Sequence, residues 1–327
     1  MSQFTKYSAV LVLLFLWTSG LETAVGQTQA DAVEAFNEAQ ELARSNQFEA
    51  AITRYERAIE ISRNVGSEAD QIRERAENNI PGIYFNMGRN ALRNREFTNA
   101  IDLIKQAQEV AQEFGVDRVY QQTQQAMPVA HLQYGNAMFR ERDFDAAEEQ
   151  YRIALELNAN YARPYYQLGL VYRQRGDMDQ ALQYFDTAIS MTIQQDDTEL
   201  ERTATAAARD YLVFLAYNQA EDGRHRRAIE LLNRSFDYDD SHAETYFRLA
   251  VSYNELSEFD EALRAATRGL NLEQGGRADR ARYHFEIGTA QKNLGNESAA
   301  CEHFRSAAVG PLRANAQHEI DNELNCD

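Results

Sequence analysis

One short apolar motif returns seven times along this chain, and very few architectures accept a sequence built that way. Four copies are strong: Phe48, Ala51, Tyr55, Ala58; Phe97, Ala100, Ile104, Ala107; Phe144, Ala147, Tyr151, Ala154; and Met178, Ala181, Phe185, Ala188. Three weaker copies follow, at His225, Ala228, Leu232, Ser235, then Phe259, Ala262, Ala266, Gly269, then Glu297, Ala300, Phe304, Ala307. Steps of three and four residues put each set on one face of a helix. Nine residues before each leading position stands a small residue: Ala39, Gly88, Gly135, Gly169, Ala216, Ala250 and Gly288. A bulky group commonly precedes it by four, as at Tyr84, Tyr165 and Tyr246. A small residue lets a first helix approach a second closely, and the alanines of the second helix complete the contact. Each copy therefore predicts a helix hairpin, A followed by B.

Composition agrees. Only four prolines, Pro81, Pro128, Pro164 and Pro311, interrupt 327 residues, and no Gly/Ser/Pro-rich linker divides them. The expected class is all-α. Counted between small residues, the copies are spaced 49, 47, 34, 47, 34 and 38 apart. The excess segments at 67–79, 117–127 and 197–208 are themselves helix-like, which predicts longer helices, not loose loops. Ser67 to Asp70 has the form of a capping box. Pro81 and Pro128 hold equivalent places and are expected to mark kinks or junctions where a preceding helix meets helix A.

The pattern resembles the tetratricopeptide repeat, a 34-residue unit with the signature W-x2-L-G-x2-Y…A-x3-F-x2-A…P. The clearest copy places Tyr165, Leu168, Gly169, Tyr172, Gly176, Ala181, Phe185 and Ala188 on it. The departures are the closing Pro, absent throughout, and Ala266, which stands where the sixth B helix should carry an aromatic. The resemblance implies a right-handed superhelix of about seven units: 32–65, 81–114, 128–161, 162–195, 209–242, 243–276 and 281–310. Leu312, Ala316, Ile320 and Leu324 then form a one-sided apolar row, expected as a capping helix over about 311–325 with a polar outer face.

The family resemblance also implies a site. Its inner groove is lined by helix A, three residues before the small residue and one, four and five after it. Here these positions give a row of bulky groups, among them Phe36, Phe85, Leu132 and Tyr166, and a row of Arg44, Arg89, Arg93, Asn136, Arg140 and Arg173. In repeats five and six they give Glu221, Asn254 and Glu255 instead. Arginine reads carboxylates through two parallel hydrogen bonds, so repeats one to four are expected to receive an acidic segment or a C-terminal carboxylate of a protein partner. A small ligand or glycan in the groove is the alternative.

Residues 1–26 have the parts of a secretory signal: Lys6, an apolar run from Ala9 to Trp17, and Ala24 and Gly26 before a cleavage point. Nine helical residues span about 14 Å, too short for a membrane of roughly 30 Å. The expectation is a periplasmic or secreted bacterial protein with no membrane span after cleavage. An oxidising compartment would let Cys301 and Cys326, the two cysteines, pair. Pairing requires the tail to fold back, because an antiparallel partner for Cys301 falls near residue 319; two unpaired thiols are the other reading.

Net charge is -18, which argues against nucleic acid. All basic residues but Lys6, Lys105 and Lys292 are arginines, as a salty habitat or an Arg-rich codon usage would each produce. No nucleotide loop, nucleophile elbow or i, i+4 His pair is present. His131 and His284 occupy packing positions. The sequence points to a non-enzymatic scaffold needing no cofactor or metal.

Overall fold

A computed structural model describes residues 27–326, and every regular element among them is a helix. The proposed signal, 1–26, lies outside the described residues. The fold is all-α, a series of helix-turn-helix units. Two compact units divide it: the first runs to Met87 and includes Gln106–Tyr120, and the second holds Gly88–Lys105 and everything from Gln121 on.

In the first unit, α1 (Gln29–Arg44) opens on a capping box in which Thr28 and Asp31 bond each other's backbone N–H groups. It pairs with α2 (Phe48–Val65) through Ala32, Phe36, Ala39, Tyr55 and Ala58, all buried. A 3-10 turn, Ser67–Ala69, then leads into α3 (Asp70–Arg93). The α-helix thus starts two residues later than a capping box with Ser67 as N-cap places it. Gly66, with φ 88°, makes the turn.

The second unit holds most of the hairpins: α4 (Phe97–Glu113) and α5 (Asp117–Arg140) in part, then α6 (Phe144–Leu157), α7 (Ala162–Arg175), α8 (Met178–Gln195), α9 (Thr198–Glu221), α10 (His225–Ser235), α11 (Ala243–Glu255), α12 (Phe259–Leu272), α13 (Arg277–Asn293) and α14 (Glu297–Ala307). The small residue does what its position requires. A Cβ built on Gly135 would lie 2.5 Å from Tyr151 Cε1, one on Gly169 2.5 Å from Phe185, and one on Gly88 2.7 Å from Ile104. Each A-helix glycine is therefore the seat of a B-helix side chain sixteen residues on. Repeat six solves its missing aromatic differently. Tyr283 of α13 packs against Gly269 and stacks edge-on with Phe247, filling the place Ala266 leaves.

The three spacings with an excess become the three helices of 24 residues, α3, α5 and α9. Pro81 and Pro128 lie inside α3 and α5, so neither marks a junction between helices. A helix carries an interior proline where the carbonyl four residues back can turn to water; Gln124, four before Pro128, is exposed.

The C-terminal cap is less regular than a helix over 311–325. A 3-10 turn, Gly310–Leu312, precedes the short α15 (Arg313–His318), and a π-helical turn, Glu319–Glu323, follows. Ala316 and Ile320 are buried, Ile320 in one cluster with Ala300 and Phe304. Asn325 then takes φ 48° and the Cys326 N–H reaches back to the Ile320 carbonyl at 2.9 Å. That reversal supplies the fold-back that pairing demands: Cys301 and Cys326 form a disulfide with Cα atoms 5.8 Å apart.

Candidate partner-binding face

The bulky row expected to grip a ligand divides on inspection. Phe36, Phe85 and Leu132 are 3%, 9% and 6% exposed and belong to the core. The reason is the hairpin packing itself: the position three before the small residue faces the B-helix aromatic. Phe36 meets Tyr55 with ring centroids 5.5 Å apart, and the Arg75 guanidinium lies over the Phe36 ring at 4.6 Å. Tyr166 is half-buried beside Phe185, at 6.0 Å.

The polar row stays accessible. Arg44, Arg89, Arg93 and Arg140 are exposed, while Asn136 and Arg173 are half-buried. Arg44 belongs to the first unit and the others to the second. Asn136 is held in place: Tyr151 Oη donates to its Oδ1 at 3.0 Å, and its carbonyl accepts from Arg140 Nε at 3.0 Å. Arg93 donates to Asn90 Oδ1. Arg44, Arg93, Arg140 and Arg173 all sit in the last turn of their helices, where the helix dipole favours a cation. Among the described residues none of these four has a carboxylate within 4.0 Å, although the chain holds 51 acidic residues. Arg140 also edges a surface depression of about 700 Å³ lined by Glu96, Phe97, Tyr134 and Glu141. The Phe97 and Tyr134 rings stack there, 5.4 Å apart and 12° from parallel.

Some arginines elsewhere are tied into the structure by ion pairs. Arg175 joins α7 to α6 by pairing with Glu148 and Asp145, and Glu148 also accepts from Tyr172 at 2.7 Å and Arg152 at 2.6 Å. Burial opposes ionisation of Glu148, but the bonds from Arg175, Tyr172 and Arg152 outweigh it and hold the carboxyl at about 2. Nothing in the repeat pattern flags this cluster, because the bonds that tie α7 to α6 join residues 24 to 30 apart.

Repeats five to seven carry the opposite charge. Glu221 and Glu255 end α9 and α11 and are exposed. Asn254 donates to both the carbonyl and Oε2 of Glu286, at 3.1 and 2.8 Å. Burial raises Glu286, the Asn254 bond lowers it and neighbouring Glu255 raises it, leaving the carboxyl pushed up to about 7. Glu286 was not among the residues picked out in the sequence; it stands two before Gly288, outside the lining positions the family resemblance implies.

The histidines pack. His131 Nδ1 lies 2.9 Å from Gln150 Oε1, and the Nδ1 atoms of His284 and His303 are 3.0 Å apart. Among the described residues no group of three or more His, Cys, Asp or Glu could hold a metal ion, and no helix is long and apolar enough to cross a membrane.

The family model for the tetratricopeptide repeat matches residues 132–197 and 215–276. Anaphase-promoting complex subunit 3 of Schizosaccharomyces pombe is 23% identical over 180 residues, which cover 54% of this chain. The chain spans only 24% of that relative's length. Among solved structures, the C-terminal part of a TPR repeat-containing protein from Cytophaga hutchinsonii is 15% identical, covers 86% of this chain and 98% of its own, and has a TM-score of 0.44. The apo form of RapI is 15% identical, with coverage of 90% and 82% and a TM-score of 0.42. YrrB, described as a TPR protein with an unusual peptide-binding site, is 18% identical, with coverage of 63% and 97% and a TM-score of 0.38.

Proposed function

We propose that this chain is an exported, non-enzymatic scaffold or adaptor of the bacterial envelope or exterior, serving assembly or secretion. Its second unit receives an acidic protein segment or a C-terminal carboxylate along the A helices of repeats two to four. One observation carries the reading: Arg93, Arg140 and Arg173 keep guanidinium groups without a carboxylate partner among the described residues, in a chain of net charge -18. In a surface so rich in acid, an arginine left unpaired is available to a carboxylate brought by a partner. The tetratricopeptide match supports binding, as an analogy at the level of the fold. A groove module for a small ligand or glycan is the second reading, favoured by the stacked Phe97 and Tyr134 beside Arg140.

Affinity capture from envelope extract, together with titration of an Asp/Glu-rich peptide carrying a free C-terminus, tests the proposal. Wild-type protein binds and the Arg140→Glu/Arg173→Glu variant loses at least about tenfold in affinity, as expected for truncating charged anchors. Unchanged peptide binding by a folded variant would sink the acidic-segment reading. A melting shift with oligosaccharide, and no captured protein, would favour the second reading. Export is checked by N-terminal sequencing of protein from the extracytoplasmic fraction: Gln27 at the start supports it, and an intact Met1 in the cytosol refutes it.

A further inference from the structure

The chain has sixteen Phe and seventeen Tyr, and among the described residues two of these stand out as exposed: Phe214 at 57% and Tyr217 at 41%. Both lie on α9, in the second unit. Residues 214, 217 and 221 fall within a narrow arc of one helix face, so the two rings and Glu221 form a single strip. The strip continues onto the neighbouring helices. Arg248 of α11 lies over the Tyr217 ring at 4.6 Å, and Asn254 of α11 bonds Glu286 of α13.

Asp210 is paired with Arg209, and Glu244 with Arg248 and Arg282. Glu221 and Glu255 have no ion pair among the described residues, yet each is the last residue of its helix. A carboxylate at a helix C-terminus is opposed by the helix dipole. Glu286 adds a third carboxyl with a single amide for company. An incoming cation would relieve all three, and an apolar side chain would cover the two rings.

We infer that the face of α9, α11 and α13 is a second docking surface, which takes a basic segment combining a bulky apolar side chain for Phe214 and Tyr217 with Lys or Arg for Glu221, Glu255 and Glu286. It is separate from the arginine-bearing repeats, uses the opposite charge and does not depend on the proposal made for them. A protein with both faces can hold two partners, or the two ends of one partner of mixed charge.

The probes are two fluorescent twelve-residue peptides, one alternating Leu with Lys and one alternating Leu with Glu, titrated against the protein by anisotropy. The Lys peptide is expected to bind. Phe214→Ala/Tyr217→Ala and Glu221→Gln/Glu255→Gln each weaken it about tenfold; all four side chains are exposed, so the fold is retained and circular dichroism verifies it. The control Glu49→Gln/Glu74→Gln, exposed acids of the first unit, leaves the affinity unchanged. Equal loss in that control would reduce the effect to net charge and overturn the inference, as would undiminished binding by the aromatic variant. The Arg140→Glu/Arg173→Glu variant should still bind the Lys peptide, so the two surfaces stand or fall separately.

Discussion

At the scale of single residues, Glu286 is the group whose environment departs most usefully from its ordinary state. Burial and Glu255 favour its protonated form in the folded chain, against the Asn254 bond, and push the carboxyl to about 7 from a usual 4.5. The folded state therefore holds this proton more tightly than the unfolded one. The stabilisation is fully present below about 4.5 and is lost as pH rises through about 7. Glu286→Gln, which keeps the neutral shape, is expected to raise stability at pH 8 by roughly 1–3 kcal/mol. The gain should vanish near pH 4, and paired denaturant titrations at the two pH values check it. Glu148 has the opposite sign: held at about 2, it stabilises above its usual range and is lost only in strong acid.

At the scale of elements, the seven hairpins share one turn. The residue seven after each small residue has positive φ: Asn46, Arg95, Arg142, Gly176, Gly223, Ser257 and Gly295. The following N–H reaches back five residues in every case, as from Glu96 to Ala91 at 2.9 Å and from Asp177 to Tyr172 at 3.0 Å. This closure satisfies carbonyls that the end of helix A would leave unpaired. Four of the seven copies place a side chain where glycine would be unstrained. Arg95→Gly is therefore expected to stabilise the protein by about 0.5–1 kcal/mol, less what glycine loses in the unfolded chain. Thermal melting of the single variant decides this, and a loss of stability would mean that the Arg95 side chain contributes more than its backbone costs.

At the scale of the molecule, repeat chains gain stability mainly from contacts between neighbouring units, so damage at one end should stay local. The cap depends on Ala316 and Ile320, two small apolar contacts, and on the disulfide. Closing a loop of 25 residues is worth about 3 kcal/mol on the chain-entropy model. Cys326→Ser should accelerate hydrogen exchange across 310–326 and α14 while leaving α1 and α2 unchanged. Uniform acceleration through the chain would contradict nearest-neighbour stabilisation.

Periodicity by itself determined the all-α class, the hairpins, the seats for the B-helix side chains and the three long helices, because each depends on residues close in sequence. Tertiary structure decided what depends on a neighbour. Phe36, Phe85 and Leu132 share a register with groove positions but are turned into the core by the B helix they face. Tyr283 fills the gap left by Ala266 from a helix outside that repeat. Pro81 and Pro128, expected at kinks or junctions, lie within helices that run on through them. Tyr217, one after Ala216, shares the lining register, whereas nothing in the repeat register marks Phe214, and the packing around α9 leaves both in water. A hydrophobic period records which face of a helix is apolar; how much of that face another helix covers is a property of the assembled neighbours.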